Sequence, residues 1–320
     1  MNPIPSKAIL LILLSIAPAV TGCNSYITRI IGDSIANIAA PIPPAPRQTL
    51  SPILNNVGIA VTWVGHATVV IQIHDKIFIT DPVFTKTVGL IAHRKVGLGI
   101  VPDSLKRVDA TLISHTHFDH LSYGSLAMLP KNGTLLVPFG GVEYVPEFGF
   151  EETRALSAWE VWERDGVRIT AVPVQHFGGR YGIDSQWNDE PAYTGWVIEY
   201  NGRTVFIGGD TGYDPSLFKE IGRRFSDAKQ IDLAILPIAP SRSEGLGGGV
   251  HVSPAGAVQI LQDLNAKMMI PMHYATFFQG SETPRSFSLE LLQRAAERAG
   301  LVGRVRILEI GGQWIMGFGK

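Results

Sequence analysis

Six consecutive residues concentrate the chemistry of this 320-residue chain: His115-Thr116-His117-Phe118-Asp119-His120. Three imidazoles and one carboxylate at that density are metal ligands by type, because borderline ions such as zinc take nitrogen and oxygen donors. The stretch follows residues 110–114, an apolar β-branched run that reads as a buried strand. A loop leaving that strand irregularly can turn His115 and His117 to one side. Asp119 and His120 can then face a neighbouring position, so one loop can serve two ions. A solvated loop that is merely rich in histidine is the plainer reading, but nothing in packing asks for such a run.

Four further residues stand at expected strand ends. His176 follows the run 170–174, and Asp210 follows 205–207 through Gly208-Gly209. His251 precedes a helix expected from Pro254, and His273 follows 268–271. A lone histidine is commonly structural. Recurrence at successive strand ends is instead the pattern of loop residues presented by a rigid sheet.

The elements that must position these groups read as short strands punctuated by turns, then strands mixed with helices. Strands are expected at 58–64, 69–73, 76–80, 110–114, 134–137, 167–172, 195–200, 204–207, 233–236, 268–271 and 304–309. Helices are expected at 215–225, 254–264 and 286–299, the second capped by Ser253 with Pro254 at its first position. That order implies an α/β layered sandwich in one domain, residues 58–320. Lys plus Arg is 27 against 28 for Asp plus Glu, so no basic surface recommends nucleic acid as a partner. Cys23 is the one cysteine. The body therefore has no disulfide and no thiolate ligand, and any metal site there is built from nitrogen and oxygen.

Ahead of the domain, residues 1–22 read as an export signal, with Lys7 before an apolar core at 8–19 too short to span a bilayer comfortably. Val20-Thr21-Gly22-Cys23 resembles the bacterial lipoprotein cleavage box, which implies a lipid on Cys23 and an envelope protein anchored on the periplasmic side of a membrane. Residues 23–57 then read as a tether. Residues 26–38 have apolar residues at helical spacing, and Pro41, Pro43, Pro44 and Pro46 impose an extended spacer.

The body as a whole resembles the metallo-β-lactamase fold superfamily, an αββα sandwich with a dinuclear centre. The matching stretches run from Thr62-Trp63-Val64-Gly65-His66-Ala67-Thr68, through Asp81-Pro82-Val83-Phe84, to His273-Tyr274-Ala275-Thr276-Phe277. The resemblance implies that His115, His117 and His176 bind one metal and that Asp119, His120 and His273 bind the other. Asp210 would bridge two ions, zinc first, with iron or manganese as options. Between ions about 3.5–4 Å apart, one water can be deprotonated near neutral pH and act as the nucleophile. His66 reads as a structural or supporting residue.

Within that superfamily the chain looks most like the N-acyl-phosphatidylethanolamine-hydrolysing phospholipase D branch. The features are Gly209-Asp210-Thr211-Gly212-Tyr213, His251 with Pro254, Ala257 and Val258, and the loop Gln175-His176-Phe177-Gly178-Gly179-Arg180. The resemblance implies a phospholipid phosphodiester as substrate. Asp119, Asp210 and His251 would carry the chemistry, with Arg180 and His251 touching substrate. Ser122, residues 183–191 and residues 87–101 depart from that branch at expected substrate walls. In those walls, apolar 88–91 and 97–101 favour a lipid, whereas His93, Arg94 and Lys95 suit a soluble one. Two other readings stay open: a lactonase or other carbonyl-ester hydrolase of the same fold, and a non-catalytic metal-binding lipoprotein.

Overall fold

Alternate residues of the early strands go to opposite sides, and that alternation builds the layers. Val69, Ile71 and Ile73 enter the central core while Val70 enters a second cluster, and Phe78 is divided from Ile77 and Ile79 in the same way. A strand with apolar residues on both faces must be covered on both. The structure, a computed structural model, describes residues 32, 35–37, 39–89, 92–181, 184, 190–225, 230–240, 249–277 and 287–317. The export signal and Cys23, and nine of the thirteen residues of the helix expected at 26–38, lie outside the described residues; residues 32 and 35–37 are helical.

The elements run β1 (Ile59–Gly65), β2 (Thr68–Ile73), β3 (Lys76–Thr80), β4 (Thr87–Val88), β5 (Ala92–His93) and β6 (Ala110–Leu112). Then come α1 (Tyr123–Met128), β7 (Thr134–Pro138), β8 (Glu152–Leu156), β9 (Val161–Arg164) and β10 (Val167–Val172). The second half holds β11 (Gly195–Tyr200), β12 (Arg203–Ile207), α2 (Pro215–Phe225), β13 (Leu233–Pro237) and α3 (Pro254–Asp263). It ends with β14 (Met268–Met272), α4 (Phe287–Arg298) and β15 (Gln313–Met316). One sheet has the order β15-β1-β2-β3-β6-β7-β8 and the other β14-β13-β12-β11-β10-β9. Between their facing sides Trp63, Phe78 and Trp196 are fully buried, while Phe206 points to the far face of the second sheet, its ring 6.3 Å from that of Phe218. Helices α2, α3 and α4 add Phe218, Ile260 and Leu292 to that core from the far side of the second sheet. Leu126 of α1 covers the outer face of the first. The architecture is the expected αββα sandwich.

Sheet directions put the chemistry at one end. β3, β6, β7 and β8 are parallel, and β1 runs the same way because two antiparallel pairings separate it from β3. In the second sheet β10, β12, β13 and β14 share one direction by the same reasoning. His66, Asp81, His115, His176, Asp210 and His273 thus all follow the carboxyl ends of strands. The two sheets are fastened there. Thr194 N donates to Ser114 O at 2.8 Å and Trp196 Nε1 donates to Ile113 O at 3.2 Å.

Two expectations change. Residues 304–309 are not a strand: Val305 makes one bridge to Met269 and Ile307 is exposed, while β15 pairs with β1. The alternating apolar pattern was real, but the β1 edge nearest the chain's end accepts Gln313–Met316 instead. Residues 97–101 are also not a substrate wall. Ile100 is buried, and the segment lies beneath residues 43–49, with Gly97 N donating to Pro43 O (2.8 Å) and Thr49 N donating to Gly99 O (2.8 Å).

Candidate metal centre

The loop after β6 turns at once. His120 N and Leu121 N both donate to His117 O, and this tight turn brings three imidazoles and Asp119 into one volume. His115, His117 and His176 form one group able to hold an ion, and Asp119, His120, His273 and His66 form another. Asp210 falls within reach of His115 and His120, between the groups. All seven expected ligands are therefore brought together, and all but His117 and Asp119 are buried.

Back-side hydrogen bonds fix which ring nitrogen faces inward. His115 Nδ1 lies 2.9 Å from Ser114 Oγ, and His120 Nδ1 lies 2.9 Å from Asp81 Oδ2. His176 Nδ1 reaches Val250 O at 2.9 Å and His273 Nδ1 reaches Ala239 O at 3.0 Å. Each acceptor holds the proton on Nδ1, so each Nε2 faces the centre and gives its lone pair to an ion once any second proton is lost, the arrangement by which proteins orient metal-binding histidines. Asp81 also accepts from Ser114 N (2.6 Å) and Ser114 Oγ (2.7 Å). It thereby braces the root of the loop and one of its imidazoles together.

Donor spacing tests whether ions fit. Four ligands about 2.1 Å from a tetrahedral ion lie about 3.4 Å from one another. His273 Nε2 lies 3.1 Å from Asp210 Oδ2, 3.3 Å from His120 Nε2 and 3.6 Å from Asp119 Oδ2. His120 Nε2 lies 3.5 Å from Asp210 Oδ2 and 3.7 Å from Asp119 Oδ2. That set is an ion-sized cage. On the other side, His115 Nε2 and His117 Nδ1 converge to 2.8 Å. His176 Nε2 and Asp210 Oδ1 are buried there without a hydrogen-bond partner among the described residues. Orphaned buried acceptors call for a cation, and Asp210 lies within reach of both His115 and His120. The donor set fits two divalent ions.

Protonation differs between the two groups in the metal-free protein. Burial pushes the His115 and His176 imidazoles well below the usual range and His117 to about 4, so these three are neutral. Burial also opposes charge on His120 and His273, but Asp210 leads the carboxylates that outweigh it. His120 is raised well above its ordinary value and His273 to about 9.

Two glycines make room for the ligand loops. Gly209 has φ +58°, and a Cβ there would lie 2.4 Å from Ser114 Cβ, so Asp210 can approach the β6 loop only behind a glycine. At Gly212 a Cβ would lie 1.2 Å from Gly249 O, where the His176, Asp210 and His251 segments meet. His251 lies beside the cage, its Nδ1 3.5 Å from Asp210 Oδ2, and burial lowers its pKa against the pull of Asp210.

Arg180, expected to touch substrate, has its guanidinium turned inward. Its Nη1 donates to Thr116 O (3.1 Å) and Leu121 O (2.8 Å), and the group stacks on Phe118 and Tyr123. Arg94 is likewise committed, donating to Val83 O (2.6 Å) and lying over Phe277. The outward groups near the centre are aromatic: Phe177, whose ring is 4.7 Å from that of His117, and Tyr181, 67% exposed. Asp81, although part of a matching stretch, and Ser114 were not expected at the site. The signal was an Asp ending a buried strand, which gains meaning once β3 and β6 pair.

The beta-lactamase superfamily domain matches residues 77–274. The chain is 29% identical over 266 residues to the mitochondrial N-acyl-phosphatidylethanolamine-hydrolyzing phospholipase D of Saccharomyces cerevisiae, covering 78% of this chain and 54% of that one. It is 28% identical over 235 residues to a metal-dependent hydrolase of the UPF0173 group from Pyrococcus abyssi, covering 72% and 90%. A solved structure of a metallo hydrolase from Ignicoccus hospitalis superposes with a TM-score of 0.59 at 22% identity, over 82% of this chain and 99% of that one, which speaks to the fold. The chain belongs to the beta-lactamase superfamily domain family and is a metal-dependent hydrolase of the metallo-β-lactamase fold.

Proposed function

We propose that the protein is a dinuclear phosphodiesterase of the phospholipase D type, acting on an N-acyl-phosphatidylethanolamine-like lipid. The observation that carries the reading is Asp210, buried within reach of His115 on one side and His120 on the other, with one oxygen 3.1 Å from His273, the other left without a partner among the described residues, and His251 3.5 Å away. His115, His117 and His176 would hold one ion and Asp119, His120 and His273 the other, with Asp210 serving both. When bound, two divalent ions lower the pKa of water towards about 7 and take up charge on the phosphoryl oxygens. Asp210 orients the attacking oxygen. His251 moves a proton to the departing alcohol, so the water oxygen ends on phosphorus and the proton on the headgroup oxygen. Phe118, Phe177 and Tyr181 receive the apolar chains, with Arg180 holding that rim rather than reading a charge.

Similarity to the yeast phospholipase D supports this choice over a carbonyl ester. Zinc suits the ligands first, and iron or manganese remain compatible. The lipidated Cys23, periplasmic-side anchoring and the export signal at 1–22 belong to the same proposal, since a lipid anchor keeps such an enzyme beside its substrate.

The test is turnover of bis(p-nitrophenyl) phosphate, an N-acyl-phosphatidylethanolamine in mixed micelles and a lactone panel, with Asp210→Ala as blank. Phosphodiester cleavage that disappears in the blank is expected. Lactone cleavage alone would make the protein a carbonyl hydrolase. No turnover with two metals bound would make it a metal-binding lipoprotein.

A further inference from the structure

His66 is the imidazole in the second ligand group that the proposed centre does not use. It sits at a break in the β1–β2 ladder, where the register shifts between Trp63 and Gly65. Gly65 has φ +130° and His66 φ +53°, a left-handed pair that turns the side chain inward from the strand end. Such a conformation is strained in a non-glycine residue and persists where the surroundings enforce it. They do so here. His66 N donates to Thr276 Oγ1 at 2.6 Å, and His66 O accepts from Trp63 Nε1 at 2.9 Å and from His273 N at 3.0 Å. The ring is 1% exposed and lies 3.9 Å from the His273 ring, centroid to centroid.

Its ring nitrogens decide its role. Nε2 is 2.9 Å from Asp119 Oδ2, while Nδ1 is buried with no hydrogen-bond partner among the described residues. His115, His120, His176 and His273 all have an acceptor behind Nδ1, which frees Nε2 for an ion. His66 has none, so the proton that satisfies a contact belongs on Nε2, facing the carboxylate. The cage of Asp119, His120, His273 and Asp210 is complete without it.

We infer that His66 is a positioning residue for the second ion: its Nε2–H donates to Asp119 and holds that partly exposed carboxylate in the cage. Asp119 is 32% exposed in its side chain and, lacking this donor, would swing towards water. The inference rests on the proposed ligand assignment but not on any substrate.

Glutamine places its amide nitrogen near the position of Nε2, and asparagine places it near Nδ1. The experiment prepares the full-length chain in detergent as wild type, His66→Gln and His66→Asn, strips metal, and titrates with Co²⁺, reading the ligand-field spectrum and both affinities. The expected result is near-wild-type binding in His66→Gln. In His66→Asn the second ion should bind roughly 10–100-fold more weakly with the first unchanged, the usual size of a supporting hydrogen bond. In an Asp119→Asn background the two His66 variants should become indistinguishable. Equal behaviour of Gln and Asn would overturn the inference. So would loss of one cobalt ligand from the spectrum of His66→Gln, which would make His66 a ligand itself. Phosphodiester assays play no part, so failure here leaves the substrate question where it stood.

Discussion

His120 and His273 are charged in the metal-free protein, whereas His115, His117 and His176 are neutral, and this asymmetry sets the pH behaviour of loading. Burial disfavours charge on His273, yet Asp210 and the contacts to Asp119 hold its pKa at about 9, and His120 is raised for the same kind of reason. A metal competes with those protons. The sign is therefore fixed: second-ion affinity rises with pH until His120 and His273, the latter near 9, have lost their protons, while first-ion affinity is nearly flat above about pH 5. Calorimetry at pH 7.5 in buffers of different ionisation enthalpy should show roughly two protons released with the second ion and almost none with the first. Equal release for both ions would contradict the assignment. Behind His120, Asp81→Asn should weaken the second ion roughly 10–100-fold, measured by chelator competition. Residue types alone made the seven ligands legible, because imidazole and carboxylate in a body without cysteine have few other uses at that density. Asp81 and Ser114 were not legible, since their work is done through β3–β6 pairing that brings residues 33 apart into contact.

Elements were legible where strand and helix periods were clean. Strand β10 and helix α2 fall where the pattern puts them, and α3 has the expected Ser253 cap, whose Oγ accepts from Gly256 N. Strands β8 and β9 were missed because Glu152–Leu156 and Val161–Arg164 are edge pieces with exposed polar faces and little apolar period. The same distinction applies to Arg180, where sequence suggests a substrate contact and the loop geometry gives a clamp. Gly179 N donates to Thr116 Oγ1 while the guanidinium holds Thr116 O and Leu121 O, so the His176 loop is stitched onto the His115–His120 loop. Arg180→Met leaves those two carbonyls without donors, at about 1–3 kcal/mol. For a domain of this size that corresponds to a fall of roughly 2–12 °C in melting temperature. Weaker binding of both ions should accompany it. If Arg180 instead read the phosphate, KM would rise with melting temperature and metal content unchanged, and paired calorimetry and kinetics separate the outcomes.

At the scale of the whole molecule, the proline-rich arm is part of the domain rather than a free spacer. Prolines 43, 44 and 46 do extend the chain, as their fixed φ requires. The extended chain then lies across the fold. Arg47 N donates to Ile310 O, Thr49 Oγ1 to Gly311 O and Gln313 Nε2 to Pro52 O. Gln72 closes a two-way bridge with the Leu54 backbone. Composition predicts an extended arm but not its docking, because the hydrogen-bond partners sit some 260 residues later in the chain. These bonds join the chain's two ends over the loop that precedes β6, and each contributes about 1 kcal/mol net. A chain beginning at residue 41 should therefore melt with the full-length protein. One beginning at residue 58 loses all five of these bonds and should melt roughly 10–20 °C lower, at about 2–4 °C per kcal/mol. The loss should appear equally in metal-free and metal-loaded samples, because the arm touches none of the seven ligands directly. Equal melting of the two truncations would return the arm to the status of a tether and restore residue 58 as the domain's start.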